Sequence, residues 1–152
     1  MKRINQMTYF LALAKIVSLR STCARRQVGC VLVDNNNHIL ATGYNGVTRK
    51  APHCIDTPCP GASYESGKGL DICEAIHAEQ NAILQCSNVD AIQTAYITVA
   101  PCKTCTKLLS NTSCREIVFL EDYIDSGKAL WRGVWHKHDD IKEIFQLVAN
   151  GR

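Results

Sequence analysis

Residues 94–109 read TAYITVAPCKTCTKLL. The first seven are β-branched and alternating, which specifies a strand. CKTCTKLLSN after them has helical character, with Pro101 at its start, where a missing N–H costs nothing. A strand that runs straight into a helix is one half of a βα unit, and it leaves Cys102 and Cys105 on the helix's first turn.

Working outward, EAIHAEQNAILQC (74–86) carries strong helix formers with apolar residues at helical spacing, and REIVFL (115–120) is a continuous apolar strand run. VGCVLVD (28–34) and HILATGYNG (38–46) flank a DNNN turn and specify a β-hairpin. Met7, Phe10, Leu11, Ala14 and Val17 recur at helical spacing, so an amphipathic helix comes first. ALWRGVW (129–135) reads as a further helix and KEIFQLV (142–148) as a terminal strand. Residues 47–72 hold most of the prolines and many glycines, so they form a long irregular segment of the kind that is functional or pinned. The order α, β-hairpin, α, β, α, β, α, β implies an α/β fold, with helices on both faces of a mixed sheet.

At 152 residues, without a linker or an internal repeat, the chain is expected to form a single domain over 1–152. A 46% hydrophobic and 20% charged composition is that of an ordinary soluble globular protein. A net charge of +3 is too mild to point to polynucleotide binding. The N-terminus MKRINQMTYFLALAKIV imitates a signal peptide, but Lys15 interrupts the apolar run and no small-residue cleavage site follows. No run reaches the length that spans a bilayer. An intracellular, cytoplasmic protein is therefore expected. Its nine cysteines then need an explanation other than disulfides, and the count is odd.

Cys102 and Cys105 lie where a thioredoxin-like redox pair would also lie. Against that reading stand Lys103 and Thr104 between them and a third metal-type residue, His77, at another helix start. A zinc knuckle would need a second Cys or His pair at short spacing, and His77 has none. One histidine and two cysteines instead leave the fourth position of a tetrahedral zinc open, which is the arrangement of a catalytic site. Glu79, two residues on, does not share a helical face with His77, and at a helix start it can lie beside the open position as a proton shuttle.

H-A-E together with P-C-x-x-C resembles the zinc nucleobase deaminase signature. Beyond it, STCARRQVGCVLV, ATGYNGV, a cysteine-bearing loop, EAIHAEQNAI, VAPCKTC and VFLEDY resemble the deoxycytidylate deaminases over nearly the whole chain. The resemblance implies a three-layer α/β/α sandwich with a central five-stranded sheet of the cytidine deaminase type. It implies hydrolysis of dCMP to dUMP and ammonia, supplying thymidylate synthesis, with catalytic Zn2+ on His77, Cys102 and Cys105 and with Glu79 carrying protons to N3 and the departing amino group. It implies substrate contacts from Asn45 to the sugar hydroxyl and Arg26 to the 5′ phosphate, from Ala78, and from Tyr123 closing over the nucleotide. Family members are commonly hexamers activated by dCTP and inhibited by dTTP with Mg2+, for which Gly46, Arg49 and Lys50 are the candidate triphosphate contacts. Rival readings are a deaminase of dCTP or of free (deoxy)cytidine, and a regulatory nucleotide-binding zinc protein; Glu79 argues against the last, since a purely structural site has no need of it.

Of the remaining cysteines, Cys30, Cys86 and Cys114 fall in strand or helix patterns as small apolar residues. Related deaminases can carry a second, structural zinc, with ligands that match Cys23 and Cys54. This chain has Ala75 where the family's other ligand pattern would stand, so Cys59 and Cys73, or His53, are the expected replacements. WHKHDD (135–140) reads as a solvated turn before the last strand and not as a metal site through His136, His138 and Asp139. Trp131 and Trp135, one helical turn apart, are expected to pack on the sheet or on a neighbouring subunit.

Overall fold

The computed structural model describes residues 3–151; Met1, Lys2 and Arg152, which the expected domain includes, lie outside it. Five strands form one sheet in the order β2-β1-β3-β4-β5. They are β1 (Gly29–Val33), β2 (Ile39–Tyr44), β3 (Thr94–Val99), β4 (Glu116–Glu121) and β5 (Val134–Lys137). β1 pairs antiparallel with both β2 and β3, whereas β3, β4 and β5 run parallel, so the sheet is mixed as expected.

The hairpin turns where its sequence says it should. The Asp34 carboxylate accepts from the N–H groups of Asn36 (2.8 Å) and His38 (2.9 Å), and Asn37 takes the left-handed conformation that Asn tolerates. Along β1 the side chains alternate between two cores. Cys30 and Leu32 join Ile97, Ile117 and Phe119 beneath α2 (Ala78–Gln85) and α3 (Lys103–Ser110). Val31 and Val33 join Tyr96 and Val118 beneath α1 (Gln6–Ser18), with Ile141, Ile144 and Phe145 at α4 (Lys142–Asn150). Fully burying one such side chain contributes about 1.5–3 kcal/mol, so both layers matter to stability.

Two glycines set how closely the helices approach. A Cβ on Gly29 would lie 2.0 Å from the Ala14 carbonyl oxygen of α1, and one on Gly43 would lie 2.3 Å from both the Ala78 oxygen and the Ala82 nitrogen of α2. The long segment after β2 is irregular, as expected, and its ends are joined by a bridge in which Gly46 and Ile76 exchange both backbone hydrogen bonds, at 3.1 and 2.8 Å.

Two elements differ from the sequence reading. ALWRGVW is no helix: a 3-10 turn at Lys128–Leu130 leads into β5. Gly133 is the reason, since its backbone comes so near β4 that a Cβ would meet the Arg115 oxygen at 2.1 Å, and Val134 N–H then donates to that same oxygen. KEIFQLV is the helix α4 and not a strand. Ile141, Ile144 and Phe145 share its buried face, Asp140 accepts from the Lys142 N–H at its start, and Gly151 ends it at φ +72°. WHKHDD accordingly spans the end of β5 and the approach to α4, with His136 and Lys137 in the strand. Trp131 and Trp135 pack against the α2/α3 core. No helix among the described residues is long and apolar enough to cross a membrane.

Candidate metal centre and active site

His77 and Cys102 are the N-caps of α2 and α3, two neighbouring helices on one face of the sheet. Each holds extended backbone, which turns its side chain toward the open end of its helix. The Gln80 side chain accepts from the His77 N–H at 2.8 Å, as in a capping box, and the Cys105 N–H points at the Cys102 sulfur at 3.5 Å. The helix α2 therefore begins at Ala78, later than the reading from 74, and Pro101 precedes the α3 cap.

His77 Nδ1 lies 3.5 Å from the Cys102 Sγ and 3.4 Å from the Cys105 Sγ. Zinc–sulfur bonds of about 2.3 Å and zinc–nitrogen bonds of about 2.0 Å at the tetrahedral angle require a nitrogen–sulfur separation of about 3.5 Å, so the three donors fit one zinc ion. Among the described residues this is the one group of three such side chains gathered within 4.8 Å. The three groups set one another's proton affinities. Cys102 is held down to about 4, first because the Cys105 thiol donates to it and then because His77 does, while Cys105 is pushed up by the same contact and by burial. His77 is raised, chiefly by its hydrogen bond with Cys102.

Glu79 is 4% exposed and still lines the cleft in front of these donors, with its carboxyl beside the Cys105 sulfur. Burial pushes it above the usual carboxylate range, toward the pH at which a proton carrier works best.

The same cleft is lined by Arg26, Asn45, Ala78 and Tyr123, so the residues expected to contact substrate come together. Asn45 is largely engaged by the protein. Its Oδ1 accepts from Ser21 Oγ (2.6 Å) and the Val28 N–H (2.8 Å), and its Nδ2 donates to the Arg26 carbonyl (2.7 Å), which leaves one amide hydrogen. Arg26 forms an ion pair with Glu121 at 2.7 Å, with 32% and 57% of the two side chains exposed. Gly46 is buried, whereas Arg49 and Lys50 are exposed in the turn beyond it and away from the cleft. Cys23, Cys54 and Cys59 are buried and Cys73 is half-buried. The Cys59 N–H donates to the Cys54 sulfur at 3.4 Å. His53 is exposed.

The sequence reading missed Arg25, which lines the cleft together with Ser66, Gly67 and Leu70 of the long segment. Its only signal was its place beside Arg26; the groups it contacts lie some forty residues away.

A mixed five-stranded sheet with two helix N-termini presenting His and Cys-x-x-Cys defines the cytidine deaminase-like fold class. The family model described as cytidine and deoxycytidylate deaminase zinc-binding region matches residues 4–121, and the chain belongs to that family. It is 39% identical over 127 residues to the deoxycytidylate deaminase of Schizosaccharomyces pombe, covering 80% of this chain and 39% of that protein. It is 36% identical over 126 residues to the deoxycytidylate deaminase of Mycobacterium phage D29, covering 78% of this chain and 97% of that one. The chain thus spans about two fifths of the length of the yeast relatives it matches. Among solved structures, the apo dCMP deaminase of cyanophage S-TIM5 superposes with a TM-score of 0.65 at 25% identity, covering 86% of this chain and 95% of that one.

Proposed function

We propose that this protein is a dCMP deaminase, which hydrolyses dCMP to dUMP and ammonia in the cytoplasm, as one domain over 1–152. The observation that carries the reading is the placement of His77, Cys102 and Cys105 at one zinc-binding distance with Glu79 buried beside them in an open cleft. Bound zinc supplies a Lewis acid that brings the pKa of water down to roughly 7. Zinc held by His77, Cys102 and Cys105 would supply that acidity, and Glu79 would carry both protons of the water in turn, the first to N3 as the oxygen bonds C4 and the second to the amino group as the C4–N bond breaks and ammonia leaves. Ala78, Asn45 and the two helix N-termini fix the ring and sugar in front of Glu79. The Arg26–Glu121 pair is exposed and is worth at most about 1 kcal/mol, so a 5′ phosphate can take Glu121's place on the guanidinium. Tyr123 covers the nucleotide.

Effector control by dCTP, and by dTTP with Mg2+, belongs to the same proposal, as does assembly into hexamers. Supporting it, Arg49 and Lys50 stand exposed just beyond Gly46, whose bridge to Ile76 ends one residue before His77. A triphosphate on the two cations would thus act on the backbone that positions a metal ligand. Leu19, Leu84, Ile124 and Val148 are each at least 70% exposed, apolar surface that subunit contacts would cover.

The deciding experiment measures product from dCMP, dCTP and deoxycytidine, each with dCTP or dTTP plus Mg2+ and again after zinc chelation. Expected is turnover of dCMP that disappears with zinc and returns with it, is sigmoidal without dCTP and hyperbolic with it, and falls with dTTP. Preference for dCTP or deoxycytidine overturns the substrate, hyperbolic kinetics throughout overturns the switch, and no turnover with zinc bound overturns the activity.

We also propose a second, structural zinc on Cys23, Cys54, Cys59 and Cys73. What supports it is the burial of the first three and the held-down thiol of Cys59, which the Glu74 backbone chiefly stabilises and the Cys54 and Cys73 sulfurs approach; no three of the four sulfurs stand within 4.8 Å of one another, so the ion would have to draw them together. Two zinc ions per chain by elemental analysis are expected; one per chain in fully loaded protein removes the site.

A further inference from the structure

The long segment reaches the mouth of the cleft with few ties of its own. Its backbone hydrogen bonds between Gly61 and Ile72 are local turns: Tyr64 N–H to Gly61, Lys68 N–H to Glu65, and Ile72 N–H to Gly69. Among the described residues, the hydrogen bonds that cross from this stretch to the rest of the molecule come from one side chain. Arg25 Nη1 donates to the carbonyl oxygens of Tyr64 (3.3 Å), Glu65 (3.0 Å) and Lys68 (2.7 Å), so three carbonyls converge on a single nitrogen. The turn they enclose places Ser66 and Gly67 in the cleft wall. Gly67 has φ +83°, and a Cβ there would stand 3.3 Å from the Tyr123 hydroxyl, so the two come within van der Waals reach of each other.

We propose that Arg25 is a positioning residue that holds the 64–68 turn as a wall of the cleft, so that the nucleotide is enclosed between this turn and Tyr123. Arg25 acts through the turn and on capture of the substrate, not on the proton transfers. A charged donor suits the task because carbonyls converging on one point repel each other and a cation between them does not let them part. Lys can take the same place, since an ammonium offers three donors from one nitrogen, whereas Gln has neither the charge nor the reach.

The kinetic part rests on the dCMP reading, and a second readout does not. Trypsin cleaves after Lys68, whose carbonyl is the one Arg25 holds most closely. In Arg25→Gln, cleavage at Lys68, followed by mass spectrometry on the folded protein, is expected to accelerate by roughly 10- to 100-fold, the factor that loss of charged hydrogen bonds carries. KM for dCMP and for deoxycytidine is expected to rise together, with kcat within about twofold, and Arg25→Lys restores most of both readouts. An unchanged cleavage rate in Arg25→Gln overturns the proposal. So does a fall in kcat at constant KM. A loss confined to dCMP, with deoxycytidine unaffected, makes Arg25 a phosphate ligand and overturns it as well. Should the wild type turn over no cytosine nucleotide, the function reading fails, and the cleavage rates of the Gln and Lys variants still decide the role of Arg25.

Discussion

Glu79→Gln is expected to bind zinc as the wild type does, to melt within a few degrees of it, and to lose roughly 10² to 10⁴ in turnover of dCMP. The substitution keeps the shape of a side chain that is 4% exposed, so packing around α2 is undisturbed. It also leaves His77, Cys102 and Cys105 in place. What it removes is the ability to accept and return a proton. Burial raises the Glu79 carboxyl above its ordinary range, and a group so raised is the stronger base, so it takes a proton from water more readily than an exposed carboxylate would and titrates nearer the pH at which a proton carrier works best. The measurement is kcat with zinc content and melting temperature determined on the same preparation. Full activity in a zinc-loaded variant sinks the assignment of Glu79.

Gly43→Ala is expected to destabilise the fold by about 3 kcal/mol or more and to weaken zinc binding in the same molecule. The added Cβ would lie 2.3 Å from the Ala78 oxygen and from the Ala82 nitrogen, and both are backbone, so no flexible side chain can give way. The helix α2 has to lift off β2. His77 is its cap and Glu79 lies in its first turn, while Cys102 and Cys105 stay with α3. Lifting α2 also strains the Asn81 side chain, which donates to the Tyr44 carbonyl at 2.8 Å. Denaturant unfolding and zinc titration test this. Wild-type stability with wild-type zinc affinity would show that the helix approach does not set the ligand geometry.

The candidate metal centre was legible in the sequence because few side chains bind zinc and because Pro101 marks the helix start that carries Cys102. The first four strands were legible through β-branched alternation, the DNNN turn and, for β4, a continuous apolar run. The last third was not. Leu130, Trp131, Val134 and Trp135 fit the apolar spacing of a helix as well as that of a strand, and the contact that chooses between them, Gly133 against Arg115, is made with another strand. KEIFQLV has β-favouring residues, but its helix is fixed by Asp140 before it and Gly151 after it. Arg25 was illegible for the same reason as Gly133: its partners are backbone carbonyls remote in the chain, and a carbonyl leaves no mark on residue type.

The Gly46–Ile76 bridge has a consequence for how the cleft can change. Residues 47–75 leave the sheet and return to it at one point, and the loop between is tied back to the residues after α1 by the Ile55 N–H on the Thr22 carbonyl and by Arg25 on the 64–68 turn. Closure entropy grows only as the logarithm of length, and doubling such a loop costs about 0.6 kcal/mol. Insertions and deletions there therefore scarcely register in the stability of the sheet or in the spacing of His77 from the two sulfurs. The proposed cleft wall and the candidate metal centre are separable parts, and the first can be rebuilt by natural variation or by design while the second stays as it is.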